Sequence, residues 1–154
     1  MVRGLDTTFL VEAEVAGHPH HAWARAELDA VLSRGDSFAI APQVLAEFIH
    51  VVTDPKRFSM PLGPEQALTR AETWWQAEEV VRVFPSDDSC CLFLEWMRKY
   101  ELGRKRILDT LLAATYYAHG IRSILSSNAR DYAVFGCFSV ICPAQATRRP
   151  PKSS

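Results

Sequence analysis

VRGLDTTFLVEAE, residues 2–14, joins a short apolar segment to a helical one through a single aspartate. VRGL is a predicted strand, and TTFLVEAE has the apolar spacing of a helix that begins at once. Asp6 stands between them, where an ionisable side chain follows a run of apolar residues. The stretch therefore predicts a strand that passes directly into a helix, with a carboxylate at the junction.

The same alternation of strand and helix continues along the chain without a hairpin signal. Strands are predicted at residues 2–5, 37–41, 80–84, 122–127 and 138–142, and helices at 7–14, 18–35, 43–53, 64–76, 86–102 and 106–120. This alternation is typical of a parallel sheet covered by helices on both faces. We expect one domain over residues 1–144, followed by a polar, proline-containing and disordered tail at 145–154.

Composition and charge narrow the class of protein. The chain has 154 residues and is 48% hydrophobic, and 17 Lys and Arg against 18 Asp and Glu give a net charge of −1. A dedicated nucleic-acid-binding protein is usually basic overall, so only a local basic patch is compatible with that role. Apolar runs fall short of the ~18–20 residues of a membrane span, and acidic residues occupy the stretch where a signal peptide is apolar. We expect a cytoplasmic protein with no membrane association.

Polar side chains stand where a parallel sheet builds its sites, beyond the carboxyl ends of the strands. They are Asp6 after the first strand, Glu47 and Asp109 in apolar helices, and Asn128 and Asp131 after the fourth strand. Each has an ordinary structural explanation, as a helix cap, a solvated side chain or a first-turn charge favoured by the helix dipole. The elements that carry them can converge at one edge of the sheet, so the set as a whole predicts a cluster of carboxylates.

Four segments of the chain resemble the motifs of PIN domains and occur in the same order. They are GLDTTFLV, QVLAEF, ILDTLLAATYYAHG and ILSSNARDY, which begin at residues 4, 43, 107 and 124. The resemblance covers residues 2–143 and implies a three-layer α/β/α fold with a five-stranded parallel sheet in the order 3-2-1-4-5. Many PIN proteins of this length are VapC-type toxins of type II toxin–antitoxin systems, which are Mg²⁺- or Mn²⁺-dependent ribonucleases.

The resemblance implies a role for each acidic position. Asp6 and Asp109 are expected to bind Mg²⁺ or Mn²⁺ directly, and Glu47 directly or through water, with Asn128 or Asp131 in the fourth position of a catalytic cluster. The chemistry is intelligible from the residue types alone. A hard divalent cation takes oxygen ligands, lowers the pKa of a bound water and neutralises the charge of a phosphate.

The fourth motif departs from the PIN pattern. That pattern usually has an aspartate two residues after Ser126, and here the position is Asn128, which is neutral. Asp131 lies three residues further on, where a helical turn would bring it to the same side as Asn128. One hypothesis is that Asp131 replaces the missing charge. The other is that Asn128 or Ser127 caps a short helix and that Asp131 only faces solvent.

A nuclease must also hold the phosphate backbone of its substrate, which requires cationic and hydroxyl side chains. The expected substrate-binding residues are Thr7, Ser126, Arg104, Lys105, Arg106 and Arg130. The two hydroxyl groups could bind the carboxylates instead. The basic residues are equally consistent with a solvated run of surface charge.

Two functions fit these observations. The first is a metal-dependent endoribonuclease that acts on RNA and is neutralised by a small antitoxin protein. The second is a PIN-fold interaction module with weakened catalysis, which the neutral Asn128 favours. We also expect a homodimer, because the helices at 20–33 and 64–76 carry large apolar residues such as Trp23, Trp74 and Leu68.

A group of histidines near the second helix looks like a metal cluster. His18, His20 and His21 lie close together in sequence, but a single helix offers no pair of them at the i, i+4 spacing. We therefore interpret them as the start of the second helix, with a substrate contact as the alternative.

Overall fold

Five short strands form one parallel sheet in the order β3-β2-β1-β4-β5. The computed structural model describes residues 1–143, so the expected domain boundary at residue 144 and the tail at 145–154 lie outside the described residues. The strands are β1 (Val2–Leu5), β2 (Ser37–Ile40), β3 (Val80–Arg82), β4 (Ser123–Leu125) and β5 (Ser139–Ile141). Strand order and parallel pairing confirm the expected α/β fold.

Seven α-helices lie within the described residues. They are α1 (Thr7–Glu14), α2 (His21–Ser33), α3 (Pro42–Val52), α4 (Pro64–Gln76), α5 (Asp87–Lys99), α6 (Ile107–Ala118) and α7 (Ala129–Ala133), and a short 3₁₀ helix, Arg104–Arg106, precedes α6. No helix among residues 1–143 is long and apolar enough to cross a membrane.

The connections place helices on both faces of the sheet. The chain runs from β1 to β3 through α1–α4 in one direction along the sheet, and then reaches β4 and β5 through α5–α7 in the other. Right-handed crossovers that advance in opposite directions lie on opposite faces of a parallel sheet. Accordingly, α1 packs against α2 and α3, and α5 packs against α6. The result is the expected three-layer arrangement.

The core is densest around the central strand and the helix that follows it. Leu5, Ile40 and Ile124 come from three neighbouring strands, and Phe9 and Leu10 come from α1; all five are fully buried. Burial of each such side chain contributes about 1.5–3 kcal/mol. The sheet edge at which Asp6 emerges is therefore built on a rigid base.

A close contact between α6 and β1 fixes the position of α6 over the sheet. A Cβ atom added to Gly4 would lie 2.7 Å from the ring of Tyr116, so the ring occupies the space that any other residue would fill. The Tyr116 hydroxyl donates hydrogen bonds to the carbonyl oxygens of Leu5 and, at 3.0 Å, Ala39. Tyr116 thus spans β1 and β2 close to their carboxyl ends.

Helix α2 begins later than the sequence pattern predicts. The pattern places its start at His18, whereas the helix begins at His21. The intervening residues form a turn, in which the His18 N–H bonds to the Val15 carbonyl at 3.0 Å and the His21 N–H to the His18 carbonyl at 3.0 Å. The expected helix over 18–35 was therefore wrong in its first turn, and His18 and His20 belong to a compact loop.

Three strands are shorter than predicted. The predicted segments 80–84, 122–127 and 138–142 contain paired strands of three residues each. At the end of β3, the Val83 N–H still bonds to the Ile40 carbonyl at 3.1 Å, but Pro85 follows two residues later. Because proline has no N–H to donate, the ladder cannot continue there.

Two of the three large apolar side chains expected at a dimer surface pack within their own chain. The Trp23 ring lies edge-on to Phe9, with 5.5 Å between ring centroids, and the Trp74 ring lies edge-on to Phe38 at 6.2 Å. Leu68, in contrast, is 48% exposed. Of the three, Leu68 remains available for contact with another molecule.

The Gly4–Tyr116 contact yields the first prediction. Gly4→Ala should destabilise the protein by about 1–3 kcal/mol, because the added methyl group overlaps the buried Tyr116 ring. In a strand without this overlap, the same change is usually stabilising. Gly17→Ala is the control, since a Cβ there meets nothing within 4 Å. Urea unfolding followed by circular dichroism measures both variants, and equal stability of the two would contradict the prediction.

Candidate active site

The strand order reverses between β1 and β4, and the candidate site lies in the crevice at this point. The chain extends the sheet from β1 through β2 on one side and from β1 through β4 on the other. In open parallel sheets, the carboxyl ends of the strands at such a reversal form a binding crevice. Asp6 follows β1 and Ser126 follows β4, and the Ser126 hydroxyl donates a hydrogen bond to Asp6 Oδ2. The two sides of the crevice are therefore in direct contact.

Asp6 is buried and accepts four hydrogen bonds. As the N-cap of α1, its Oδ1 accepts from the Phe9 N–H at 2.9 Å and from the Thr8 hydroxyl at 2.8 Å. Its Oδ2 accepts from the hydroxyls of Ser126 and Tyr132, the latter at 3.3 Å. A carboxylate offers about four acceptor positions. Donors of this chain therefore occupy its whole acceptor capacity.

Burial outweighs these hydrogen bonds in setting the charge of Asp6. Its pKa is raised from 3.8 to about 6, because removal from water disfavours the charged form, while the bonds from Ser126, Phe9 and Thr8 act in the opposite direction. A cation that binds Asp6 must displace one of the four donors. The Tyr132 hydroxyl has the longest hydrogen bond of the four and is the one most easily displaced.

Glu47 reaches the crevice from α3, where it accepts hydrogen bonds from a residue of α1 and from a residue of its own helix. The Thr7 hydroxyl of α1 donates to its Oε2 at 3.4 Å, and the Gln43 amide donates to its Oε1 at 3.2 Å. The same Gln43 nitrogen donates to the Leu108 carbonyl of α6 at 3.0 Å. Gln43 thus sets the distance between the helix of Glu47 and the first turn of α6.

Asp109 lies in the first turn of α6, and its side chain is 37% exposed. Its pKa is raised to about 6, mainly by burial and then by the negative charges of Asp131, Asp6 and Glu47, while Arg106 opposes the increase. A helix N-terminus alone would favour a negative charge here. The pKa is raised nevertheless, and the contributions of Asp131, Asp6 and Glu47 indicate that these carboxylates lie close enough to Asp109 to repel its charge.

Asp131 and Asn128, the two candidates for the fourth position of the acidic cluster, lie in different surroundings. Asp131 lies on α7 and is half-buried, and among charged groups it has the largest effect on the pKa of Asp109. Asn128 is exposed at the N-cap position of α7, and its side chain makes no capping hydrogen bond. Its backbone N–H donates to Ser126 Oγ at 2.9 Å. These observations support the hypothesis that Asp131 completes the acidic cluster.

Arg106 is part of the cluster rather than a free cation at its rim. Its guanidinium donates to the backbone carbonyl of Asp131, and its Nε lies 3.9 Å from Asp109 Oδ2. The Thr110 hydroxyl in turn bonds to the Arg106 carbonyl at 2.6 Å. Arg106 therefore joins the start of α6 to the backbone of α7 and places a positive charge beside the Asp109 carboxylate.

The other basic residues expected to bind substrate are exposed around the crevice. Arg104 and Lys105 line an open depression of about 710 Å³, together with Glu47 and Asp109. Arg130 is exposed on α7. The depression thus has carboxylates on one side and cations on another, which suits a phosphate that is held beside a metal ion.

Sequence reasoning missed two residues that hold the cluster together. Tyr132 donates to Asp6 across a large sequence separation, and its only signal is its place beside Asp131 in the fourth motif. Gln43 lies four residues before Glu47, and this spacing on a helix brings two side chains into contact. Its second bond, to α6, depends on tertiary structure.

The donor set of the cluster fits a hard divalent cation. Asp6, Glu47, Asp109 and Asp131 all offer carboxylate oxygens, which Mg²⁺ and Mn²⁺ prefer over nitrogen or sulfur ligands. Mutual repulsion raises the pKa of Asp109, and a cation among the carboxylates would remove that repulsion. The residues that the structure brings together are therefore suited to hold such an ion.

Comparisons of the sequence with known proteins point to one family. The PIN domain model matches residues 5–134. Ribonuclease VapC31 of Mycobacterium tuberculosis is 25% identical over 139 residues, which cover 90% of this chain and 96% of the relative. Ribonuclease VapC43 of the same species is 27% identical over 110 residues, covering 71% of this chain and 75% of the relative. Distant homologues are thus VapC toxin ribonucleases of toxin–antitoxin systems.

Solved structures show the same fold. VapC20 of M. tuberculosis, described as a toxin that cleaves the sarcin-ricin loop, has a TM-score of 0.71 at 17% identity, covering 93% of this chain and all of that one. VapBC2 of Rickettsia felis, bound to promoter DNA, has a TM-score of 0.64 at 19% identity, with coverage of 93% and 99%. A toxin–antitoxin complex of Klebsiella pneumoniae has a TM-score of 0.62 at 18% identity, with coverage of 92% and 97%.

The raised pKa of Asp109 yields a prediction about the metal-free protein. Because the folded-state pKa lies above 3.8, the stability cost of the charge is absent at low pH and develops as the pH rises through about 6. Asp109→Asn should therefore stabilise the protein at pH 8 and have little effect near pH 4. Since the side chain is 37% exposed, solvent screening limits the gain to less than about 1 kcal/mol. That corresponds to a melting temperature that is higher by at most about 2–4 °C.

Thermal unfolding in EDTA at both pH values measures this effect. Asp88→Asn is the matched control, because Asp88 is an exposed aspartate in the first turn of α5. It should lose only the favourable helix-dipole interaction and become slightly less stable. A lower melting temperature for Asp109→Asn than for the wild type at pH 8 would show that the carboxylate is not under repulsion.

Proposed function

This chain belongs to the PIN domain family, and we propose that it is a divalent-metal-dependent endoribonuclease, the toxin of a type II toxin–antitoxin pair. One observation carries the proposal. Asp6, Glu47 and Asp109 come from three separate parts of the chain; Glu47 and Asp109 line the same open depression, and the charges of Asp6 and Glu47 both contribute to the raised pKa of Asp109. A protein that needed only stability would gain by separating or neutralising these groups.

Each carboxylate has a role in this proposal. Asp6 and Asp109 bind Mg²⁺ or Mn²⁺ directly, Glu47 binds it directly or through water, and Asp131 takes the fourth acidic position in place of Asn128. When bound, the ion lowers the pKa of a coordinated water and neutralises charge on the scissile phosphate. The chain then needs no serine or cysteine nucleophile.

The surrounding side chains position the carboxylates. Ser126 bonds to Asp6 across the crevice and fixes the orientation of that carboxylate, while the Thr7 hydroxyl does the same for Glu47. Arg106 holds α7 against α6 and balances part of the negative charge. Thr7 and Ser126, predicted to bind either phosphate or carboxylate, are thus engaged with carboxylates.

RNA binding is assigned to the exposed cations. Arg104 and Lys105 lie on the depression that also holds Asp109, and Arg130 is exposed on the short helix that carries Asp131. Because the net charge of the chain is −1, attraction of RNA depends on these local charges rather than on the whole surface.

The proposal includes two protein partners. Among proteins of this fold are a toxin–antitoxin complex and a VapBC2 complex, and by this likeness we propose a cognate antitoxin that covers the crevice. We also propose a homodimer. An apolar surface between α3 and α4, which includes Leu45, Ile49, Leu68 and Trp75, is suited to meet a second copy.

Cleavage of RNA tests the function directly. Purified protein is incubated with ribosomal RNA and with transfer RNA, in Mn²⁺ or in EDTA. We expect cleavage at a few positions in Mn²⁺ only. Asp109→Asn should reduce the rate at least about 100-fold, since even changes to the partners of metal ligands cost 10–100-fold.

Asp88→Asn serves as the control and should cleave like the wild type, because Asp88 lies outside the cluster on α5. Cleavage that persists in EDTA, or equally in Asp109→Asn, would exclude the proposed mechanism. If the wild type cleaves neither RNA, the neutral Asn128 is better explained by a loss of catalysis. The chain would then be described as a PIN-fold interaction module.

The fourth acidic position can be tested by metal binding alone. If Asp131 supplies the missing charge, Asp131→Asn should weaken Mn²⁺ binding, and Asn128→Asp should strengthen it by adding a carboxylate in the same crevice. Calorimetric titration of Mn²⁺ into both variants and the wild type measures the affinities. Asp131→Asn with unchanged affinity would limit the site to Asp6, Glu47 and Asp109.

A further inference from the structure

A second group of potential metal ligands lies at the other end of α1. It consists of Glu12, His18 and His20, whose ligand atoms all lie within 4.8 Å of one another. Glu12 lies in the last turns of α1, and the two histidines belong to the turn between α1 and α2. We call this group the Glu12 cluster. The cluster joins α1 to the turn that follows it, and the sequence pattern predicts no contact between them.

The backbone of the turn holds the histidines over the carboxylate. The Nδ1–H of His21 donates to the Glu12 carbonyl at 2.8 Å, which ties the start of α2 to the end of α1. The His20 N–H donates to His18 Nδ1 at 3.1 Å, and the rings of these two residues lie 5.6 Å apart. Three histidines within four positions therefore form one folded turn rather than a solvated run.

Glu12 is a buried carboxylate, and within residues 1–143 only one of its two oxygens has a hydrogen-bond partner. Its side chain is 3% exposed, and Oε1 lies 3.2 Å from His20 Nδ1. Its Oε2 is buried and has no hydrogen-bond partner within residues 1–143. A buried acceptor without a partner is destabilising, and more so when it is charged. The contact with His20 explains one oxygen of this carboxylate and leaves the other unexplained.

We propose that Glu12, His18 and His20 bind a divalent transition-metal ion, Zn²⁺ or an ion of similar ligand preference. Two imidazoles and a carboxylate are a ligand set found in zinc sites, whereas Mg²⁺ prefers oxygen ligands alone. In this proposal the unpartnered Oε2 of Glu12 binds the metal ion, and the two histidines of the turn supply the nitrogen ligands. The site is chemically distinct from the acidic cluster at Asp6.

The geometry requires only a small closure. Zinc ligands at about 2.0–2.2 Å from the ion lie about 3.3 Å from one another in a tetrahedron. The ligand atoms of the Glu12 cluster must therefore approach by up to ~1.5 Å, which rotation of two partly exposed histidine rings can supply. Binding also breaks the hydrogen bond from the His20 N–H to His18 Nδ1.

The location of the cluster leaves the ion accessible. Glu12, His18 and His20 line a cavity of about 830 Å³ that also includes Thr7 and Asn128, beside the acidic cluster. Three protein ligands leave a position of a four-coordinate ion for water or another small ligand. The lining of this cavity thus includes Thr7, whose hydroxyl donates a hydrogen bond to Glu47 of the acidic cluster.

Zinc titration in the presence of saturating Mg²⁺ tests the proposal, because Mg²⁺ fills the oxygen sites first. We expect the wild type to bind one more Zn²⁺ than His18→Ala or His20→Ala does. If the variants still bind this ion, their affinity for it should be at least about 10–100-fold lower. His50→Ala is the control, because His50 is an exposed histidine on α3. All four proteins have the same cysteines, so any zinc bound by thiols is common to them.

Histidine NMR of the wild type gives a second readout that does not depend on the folding of a variant. Zn²⁺ at one equivalent should shift the imidazole signals of His18 and His20 and leave those of His50 and His119 unchanged. Equal zinc binding by the wild type and both ring variants, or unshifted His18 and His20 signals, would overturn the proposal. Neither measurement depends on RNA cleavage, so the outcome is independent of the proposed ribonuclease activity.

Discussion

The contact between Gly4 and the ring of Tyr116 determines where α6 lies, and the candidate site depends on it. Asp109 precedes Tyr116 by seven residues on α6, which is about two turns and 10.5 Å along the same helix face. The Tyr116 hydroxyl is bonded to the carbonyl of Leu5, the residue just before Asp6. Once Tyr116 is seated on β1, the first turn of α6 extends past the carboxyl end of the sheet. Asp109 is thereby brought over the crevice that Asp6 borders.

The site is stabilised by its neighbours and destabilised by its own charges. Asp6 receives four donors and still has a pKa raised to about 6, and Asp109 has a similarly raised pKa although it lies at a helix N-terminus. Burial is the largest cause of the raised pKa of both carboxyl groups, and the hydrogen bonds to Asp6 and the charge of Arg106 beside Asp109 offset it only in part. The charged carboxylates therefore reduce the stability of the metal-free protein, and the proposed cation would offset this cost.

The sequence predicts most of the fold because local pattern and topology agree. Strands that alternate with helices restrict the sheet to parallel arrangements, and the motifs around Asp6 and Asp109 resemble those of a family with this strand order. Asp6 and Asp109 could be selected because each interrupts an apolar context. Tyr132 and the second bond of Gln43 could not, since both act across elements that only the folded chain brings together.

The sequence pattern did not predict the conformation of the loop between α1 and α2, and the histidines there illustrate the consequence. On a continuous helix, His18 and His20 point in different directions and offer no joint site. The helix begins at His21 instead, and the turn before it folds both rings back over Glu12. No periodicity argument includes Glu12, because it appears as one more residue of the preceding helix. Burial distinguishes Glu12 from Glu14 on the same helix, and the sequence alone does not reveal it.

Helix α1 connects the two clusters and explains why both can be held in a defined geometry. Asp6 caps its first turn and Glu12 lies six residues later, about 9 Å along the axis. Between them, Phe9 and Leu10 are fully buried, so the helix has little freedom to shift against the sheet. Hydroxyl groups and a backbone N–H surround Asp6, whereas an imidazole nitrogen approaches Glu12. Under the two proposals, α1 would carry an all-oxygen metal site at its beginning and a site with nitrogen ligands near its end, and this difference in ligands favours different ions.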